Sequence, residues 1–264
     1  MAKPVKKKKI PTSTGKSVLQ KNIKELPFNR FIPNLVTLST LCAGMSAIRF
    51  GLSQKWEYAV LCIVIAAILD ALDGRLARFL GTSSRFGAEL DSLADFCNFG
   101  VAPAILVYLY QLENLDRFGW LVCLFFTICM ALRLARFNAF LDETPPPLFA
   151  SGKFFMGIPA PAGGLLACFP MVLDFQVPSF KAPALIHIIA VFCIALMLVS
   201  RVPTFSFKKV SIPRSLVLPV FIIAGITVAG FVMAPWTVLS IIGTVYVGLI
   251  AISVRYYKKL ERSL

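Results

Sequence analysis

Long apolar stretches alternate with short polar ones along the whole chain. Apolar residues dominate at roughly 32–52, 57–80, 88–112, 118–138, 158–175, 183–201, 215–233 and 236–255, and each stretch approaches the ~20 residues with which an α-helix crosses a hydrocarbon core. Between them lie Gln54-Lys55-Trp56, Leu112 to Arg117, a link with Pro145, Pro146 and Pro147, Asp174 to Lys181, Arg201 to Arg214, and Ala234-Pro235. These have the composition of turns and helix breakers. The pattern predicts an all-α, polytopic membrane helix bundle of about eight transmembrane helices. No internal repeat emerges, which disfavours an inverted-repeat transporter.

Basic residues orient this bundle. The N-terminal arm with Lys3 and Lys6 to Lys9, then Arg75, Arg78 and Arg85, then Arg133, Arg136 and Lys153, then Arg201 to Arg214, and finally Arg255 to Arg262 fall on one side. The other side keeps Arg49, Lys55, Arg117 and Lys181. Cytoplasmic loops carry the positive excess, so both termini are expected in the cytoplasm, with the chain multi-pass in the cell membrane. The division that follows is a basic cytoplasmic arm over residues 1–30, a membrane core of about six helices over 31–201, and two further helices with a basic tail over 202–264. No apolar segment follows the arm's lysines, so a basic tether is expected there and not a cleaved signal.

Composition narrows the function classes. Hydrophobic residues make up 58% of the 264 residues and mean hydropathy is +0.78, too apolar for a soluble globule. The net charge of +14 is dispersed in short groups between apolar runs, without the single basic face interleaved with aromatics that nucleic acid requires. Anionic membrane lipids are the expected partners, and nucleic acid is not. The seven cysteines show no CxxC or Cys/His spacing, so they are expected to pack as small hydrophobes.

One acidic stretch stands out. Asp70, Asp73, Asp91 and Asp95 lie beside two of the longest apolar runs, and ionised carboxylates at membrane depth are costly unless they pair, bind metal or line water. Asp70 and Asp73 are i,i+3 and Asp91 and Asp95 are i,i+4, so each pair shares a helix face. A turn around Gly81 to Ser84 would lay the two helices antiparallel and bring the pairs together at the cytoplasmic surface. Four carboxylates in one volume repel unless a cation sits among them, and oxygen-only ligands favour Mg²⁺ or Mn²⁺, which also take phosphate oxygens from a substrate. Gly74, Ala77 and Gly87 beside them suggest close approach of a ligand, with tight helix packing as the alternative. An ion-coupled transporter is the rival class, but its acidic residues would be spread through several helices.

These residues spell D-x2-D-G-x2-A-R-x8-G-x3-D-x3-D, which resembles the signature of the CDP-alcohol phosphotransferase family. N-F-G-V-A-P-A at Asn98 to Ala104, R-L-A-R-F-N at Arg133 to Asn138 and F-M-G-I-P-A-P-A at Phe155 to Ala162 are similar to the branch that uses serine. The resemblance covers roughly residues 30–200. It implies transfer of the phosphatidyl group from CDP-diacylglycerol to an alcohol with release of CMP, by a homodimeric membrane enzyme that needs divalent metal. Carried over, Asp70, Asp73 and Asp91 are metal ligands, and Asp95 is the general base and a further ligand. Asp73, Gly74, Ala77, Arg78 and Gly87 then surround the nucleotide and its diphosphate. Pro33-Asn34-x-x-Thr37 resembles a family feature near the diphosphate and adds Asn34 and Thr37, for which helix capping is the alternative.

Such chemistry needs little covalent help from the protein, so a single in-line displacement is expected, without a nucleophilic side chain. The only histidine, His187, is expected to pack. For the acceptor, Arg133, Arg136, Asn138 and Lys153 form a candidate pocket, because an arginine fork suits a carboxylate. A glycerol phosphate acceptor wants similar cations, and inositol and choline also stay open on the residues alone. The choice of L-serine rests on the resemblance.

Overall fold

Helix α1 (Phe31–Leu52) opens on Pro33, whose missing N–H is tolerated in a first turn. Two of its serine hydroxyls turn back on their own helix, Ser39 donating to Leu35 at 2.9 Å and Ser46 to Cys42 at 2.7 Å. That satisfies them without water. The computed structural model describes residues 31–81, 84–139, 154–176, 181–200, 202–205 and 216–261. The basic arm, the Pro145 to Pro147 link, Lys153, Arg201 and the basic residues from Lys208 to Arg214 lie outside the described residues.

A turn with Gln54 at φ 57° leads into α2 (Trp56–Phe79), which packs along α1. After α2 the chain reverses at Gly81, whose φ of +60° suits a residue without Cβ. Ser84 then caps α3 (Arg85–Asp95) by accepting the Gly87 N–H at 3.0 Å. From α3 the chain stays helical through a π turn (Phe96–Val101), α4 (Ala102–Val107), a second π turn (Tyr108–Leu112) and a 3₁₀ turn (Glu113–Leu115). Asp116, at φ 46°, ends this run and begins α5 (Asp116–Ala139), which packs back against it. At the reversal Gly119 lies against the Leu112 carbonyl, where a Cβ would collide.

The apolar stretch at 158–175 departs from the expectation of one span. It forms α6 (Ala160–Ala167) and α7 (Phe169–Asp174), broken at Cys168, because Pro170 has no N–H with which to continue the ladder. There follow α8 (Ala184–Val199), α9 (Val217–Met233) and α10 (Pro235–Glu261). A small antiparallel ribbon, β1 (Phe154–Met156) with β2 (Pro203–Phe205), also departs from a wholly helical expectation. It pins the start of α6 to the end of α8, helped by Thr204, which donates to the Gly157 carbonyl at 2.7 Å.

Phe99, Leu106, Phe126, Met130, Ile158 and Leu198 form the centre of the core, drawn from the π turn, α4, α5, α8 and the approach to α6. Gly164 lets α6 approach the Phe99 backbone, with a Cβ position only 2.9 Å from its Cα. The described residues are thus all-α apart from the ribbon. The stretches Ile32–Leu52, Arg85–Ala139 and Pro235–Tyr257 are long and apolar enough to cross a membrane, while Ala184–Val199 and Val217–Met233 are shorter apolar helices. Their outward Leu, Ile and Phe side chains are exposed, as befits a hydrocarbon solvent.

Candidate functional site

Three of the four aspartates meet. One oxygen each from Asp70 in α2 and from Asp91 and Asp95 in α3 lie within 4.8 Å of one another. Asp91 and Asp95 stack one turn apart, and both face Asp70 across the gap between α2 and α3. Asp73 lies about 60° round α2 from Asp70 and turns to α1 instead, where it is buried and accepts the Thr37 hydroxyl at 2.9 Å. Its charge remains near those of Asp70 and Asp91. So much like charge in one volume is relieved by protons on some of the carboxyls or by a cation among them. The all-oxygen donor set and this spacing fit a hard divalent cation.

Beside the carboxylates is a cavity of about 180 Å³. Asn34 and Thr37 form its α1 wall, Asp73, Gly74 and Ala77 its α2 wall, and Gly87 and Asp91 its α3 wall. The two glycines act differently. A Cβ on Gly74 would meet nothing within 4 Å, so that face opens into the cavity; a Cβ on Gly87 would come within 3.1 Å of Asn34 Oδ1 and 3.2 Å of Ser84 Oγ. Arg78 is exposed and outside this lining, and its Nε donates to the Gly74 carbonyl at 2.9 Å. Sequence reasoning missed Ser84 and Ala88, which also line the cavity. The signal for Ser84 was available, as a serine directly before a helix start is a capping residue.

The three described acceptor candidates separate. Arg133 is held by its Nε, which donates to the Ile158 carbonyl at 2.6 Å, and its charge faces Asp95 and Asp70. Arg136 donates to the carbonyls of Val199 at 2.6 Å, Ser200 at 3.3 Å and Leu198 at 3.4 Å, the end of α8, where helix carbonyls lack partners. Asn138 pairs with Ser92, the neighbour of Asp91, its Nδ2 donating to the Ser92 hydroxyl at 3.0 Å. Lys153 lies outside the described residues. Tyr246 of α10, which no motif marked, also comes within electrostatic range of Arg133. His187 is buried, with Nε2 3.9 Å from Asp174, which also accepts the Tyr110 hydroxyl at 3.2 Å. The described cysteines form no disulfide.

The chain is similar to known proteins over most of its length. The family model for CDP-alcohol phosphatidyltransferase matches residues 30–202, and a second, CDP-alcohol phosphatidyltransferase 2, matches residues 215–250. A protein of Mycobacterium leprae named CDP-diacylglycerol–serine O-phosphatidyltransferase is 38% identical over 218 residues, 82% of this chain and 72% of its own length. Proteins of the same name from Helicobacter pylori and Bacillus subtilis are 37% and 34% identical over 179 residues, covering 67% and 68% of this chain and 73% and 92% of their own.

Proposed function

The chain belongs to the CDP-alcohol phosphatidyltransferase family, and from that premise we propose that it is a phosphatidylserine synthase, transferring the phosphatidyl group of CDP-diacylglycerol to the hydroxyl of L-serine and releasing CMP. The observation that carries this reading is the convergence of Asp70, Asp91 and Asp95 beside a cavity walled by Asn34, Thr37, Asp73, Gly74 and Gly87. The names of the relatives support serine as acceptor.

In this reading the cytidine diphosphate occupies the cavity, where the bare Gly74 face admits it. Asp70, Asp91 and Asp95 would hold the divalent metal, Mg²⁺ or Mn²⁺, with Asp73 lending its charge from the neighbouring wall. Bound there, the metal would neutralise diphosphate charge and ease departure of CMP. Asp95 takes the proton from the serine hydroxyl. The hydroxyl oxygen bonds to the lipid-bearing phosphorus as the phosphorus–oxygen bond to CMP breaks on the opposite side. Arg133, steadied by the Ile158 carbonyl, presents its guanidinium to the serine carboxylate, and Asn138 and Lys153 belong to the rim. Arg136, engaged with the end of α8, secures that helix and leaves the serine contact to Arg133.

The same reading makes the protein a homodimer in the cell membrane, with about eight passes, both termini and the site on the cytoplasmic side, a basic arm over residues 1–30, and a core over 31–201. The basic-residue count supports the orientation. The test is CMP release from CDP-diacylglycerol by the purified protein with Mg²⁺ or Mn²⁺, offering serine, glycerol phosphate, inositol and choline in turn. Release with serine alone is expected; release with glycerol phosphate and none with serine overturns the assignment. A chiral phosphorus should invert, since one displacement is proposed.

A further inference from the structure

At the end of the bundle away from the acidic site, three distant parts of the chain surround a cavity of about 440 Å³. Lys55 and Glu57 enter it from the start of α2, together with Trp56. Tyr110 enters from the second π turn, Asp174 from the end of α7 and Lys181 from just before α8. Trp56 precedes Asp70 by fourteen residues on α2, so the cavity lies ~21 Å along that helix from the carboxylates, toward the other boundary of a ~30 Å hydrocarbon core. Lysine, tryptophan and tyrosine settle at such a boundary.

Asp174 lines the cavity with a side chain only 3% exposed. It accepts the Tyr110 hydroxyl at 3.2 Å and the Ala182 N–H at 2.8 Å. The Nε2 of His187 lies 3.9 Å from it, too far for a hydrogen bond, and has no other partner. Trp56 and Phe175 stand edge-on to Tyr110, with ring centres 5.3 and 6.2 Å away, and the Lys181 ammonium sits 5.6 Å from the centre of the Tyr110 ring. Among the described residues neither lysine forms a salt bridge with Asp174 or Glu57. Two cations and two carboxylates thus line one aromatic-walled cavity without neutralising one another.

A ligand that answers both signs carries a phosphate and an ammonium. At a membrane boundary the headgroup of a zwitterionic phospholipid has both, and its acyl chains stay in the bilayer beside α2. Carboxylates only accept hydrogen bonds, so they favour a primary ammonium over a quaternary one, which has no N–H. We propose that this cavity is a second lipid site, which binds a phosphoethanolamine headgroup from the leaflet opposite the acidic site. Lys55 and Lys181 hold the phosphate, and Glu57 and Asp174 hold the ammonium. The site takes no part in the transfer reaction. Its occupant ties the turn before α2 to the link between α7 and α8 and so stabilises the bundle.

The test uses the purified full-length protein in neutral detergent micelles, melted with increasing phosphatidylethanolamine. The wild type should melt about 4 °C higher at saturation, and Lys55→Gln/Lys181→Gln should lose most of that rise. If the double variant fails to fold, Lys181→Gln alone should lose about half of it. Glu57→Gln should weaken apparent lipid affinity about fivefold. Phosphatidylglycerol and phosphatidylcholine lack the primary ammonium and soluble phosphoethanolamine lacks the chains, so each should raise the melt far less. An undiminished rise in the lysine variants overturns the site. An equal rise with phosphatidylglycerol or phosphatidylcholine overturns the ammonium contact, and one with phosphoethanolamine overturns the lipid as its source. All variants should release CMP at the wild-type rate, and a loss confined to them overturns the separation of this cavity from the reaction. Absence of CMP release by the wild type counts against the phosphatidyltransferase reading alone, because the melts do not depend on it.

Discussion

Thr37 on α1 donates its hydroxyl to the Asp73 carboxylate on α2 at 2.9 Å. The bond draws one aspartate of the motif away from the other three and ties the cavity's α1 wall to its α2 wall. Asp73 is buried, so the hydroxyl replaces water that this carboxylate lacks.

Thr37→Val should therefore leave a buried acceptor short of a donor, at about 1–3 kcal/mol. The expected result is a KM for CDP-diacylglycerol raised about tenfold, with Thr37→Ser restoring it. Steady-state kinetics on the three proteins checks this, and a normal KM in Thr37→Val would remove the bond from the substrate site.

Asp95→Asn removes the proposed base while keeping shape, and kcat should fall by about 10²–10⁴ with cytidine nucleotide binding still measurable. Asp70→Asn weakens the ligand set instead, so half-activation should require about tenfold more Mg²⁺, the equivalent of ~1.4 kcal/mol. Chelation should stop wild-type turnover and added Mg²⁺ or Mn²⁺ restore it. Titrating metal against activity for both variants separates the two roles.

Gly44 on α1 faces Asn98, which is fully buried on the π turn one helical turn beyond Asp95; a Cβ there would overlap the Asn98 amide. Gly44→Ala should destabilise by about 1–3 kcal/mol through overpacking and shift α3 against α1, lowering activity. Adding Asn98→Ala should recover part of the melting temperature. A double variant no more stable than Gly44→Ala alone would mean that the collision does not govern this contact.

Arg133 and Arg136 should behave differently despite their shared motif. Arg133→Lys keeps charge but loses the fork, and the KM for serine should rise about tenfold or more. Arg136→Ala strips donors from the end of α8, so melting temperature should fall with little change in serine KM, at ~1–3 kcal/mol of stability. Paired thermal melts and serine kinetics decide the matter.

What could be read from the chain alone was whatever acts within one stretch. Hydrocarbon selects composition over each ~20-residue run, so the apolar stretches foretold where the helices lie, and the spacing of Asp70, Asp73, Asp91 and Asp95 marked an acidic site before any fold was known. The break at Cys168 could have been taken from Pro170, which acts locally.

Tertiary structure alone decided how those residues are shared out. Helical spacing pairs Asp70 with Asp73, yet Asp70 groups with Asp91 and Asp95 while Asp73 answers to Thr37. Arg133 and Arg136 look alike in sequence, but one is held by Ile158 beside the carboxylates and the other by the end of α8. Tyr246 enters from the last helix with no motif to mark it. Each of these outcomes depends on which helix packs against which, a relation between residues far apart in the chain that no local pattern encodes.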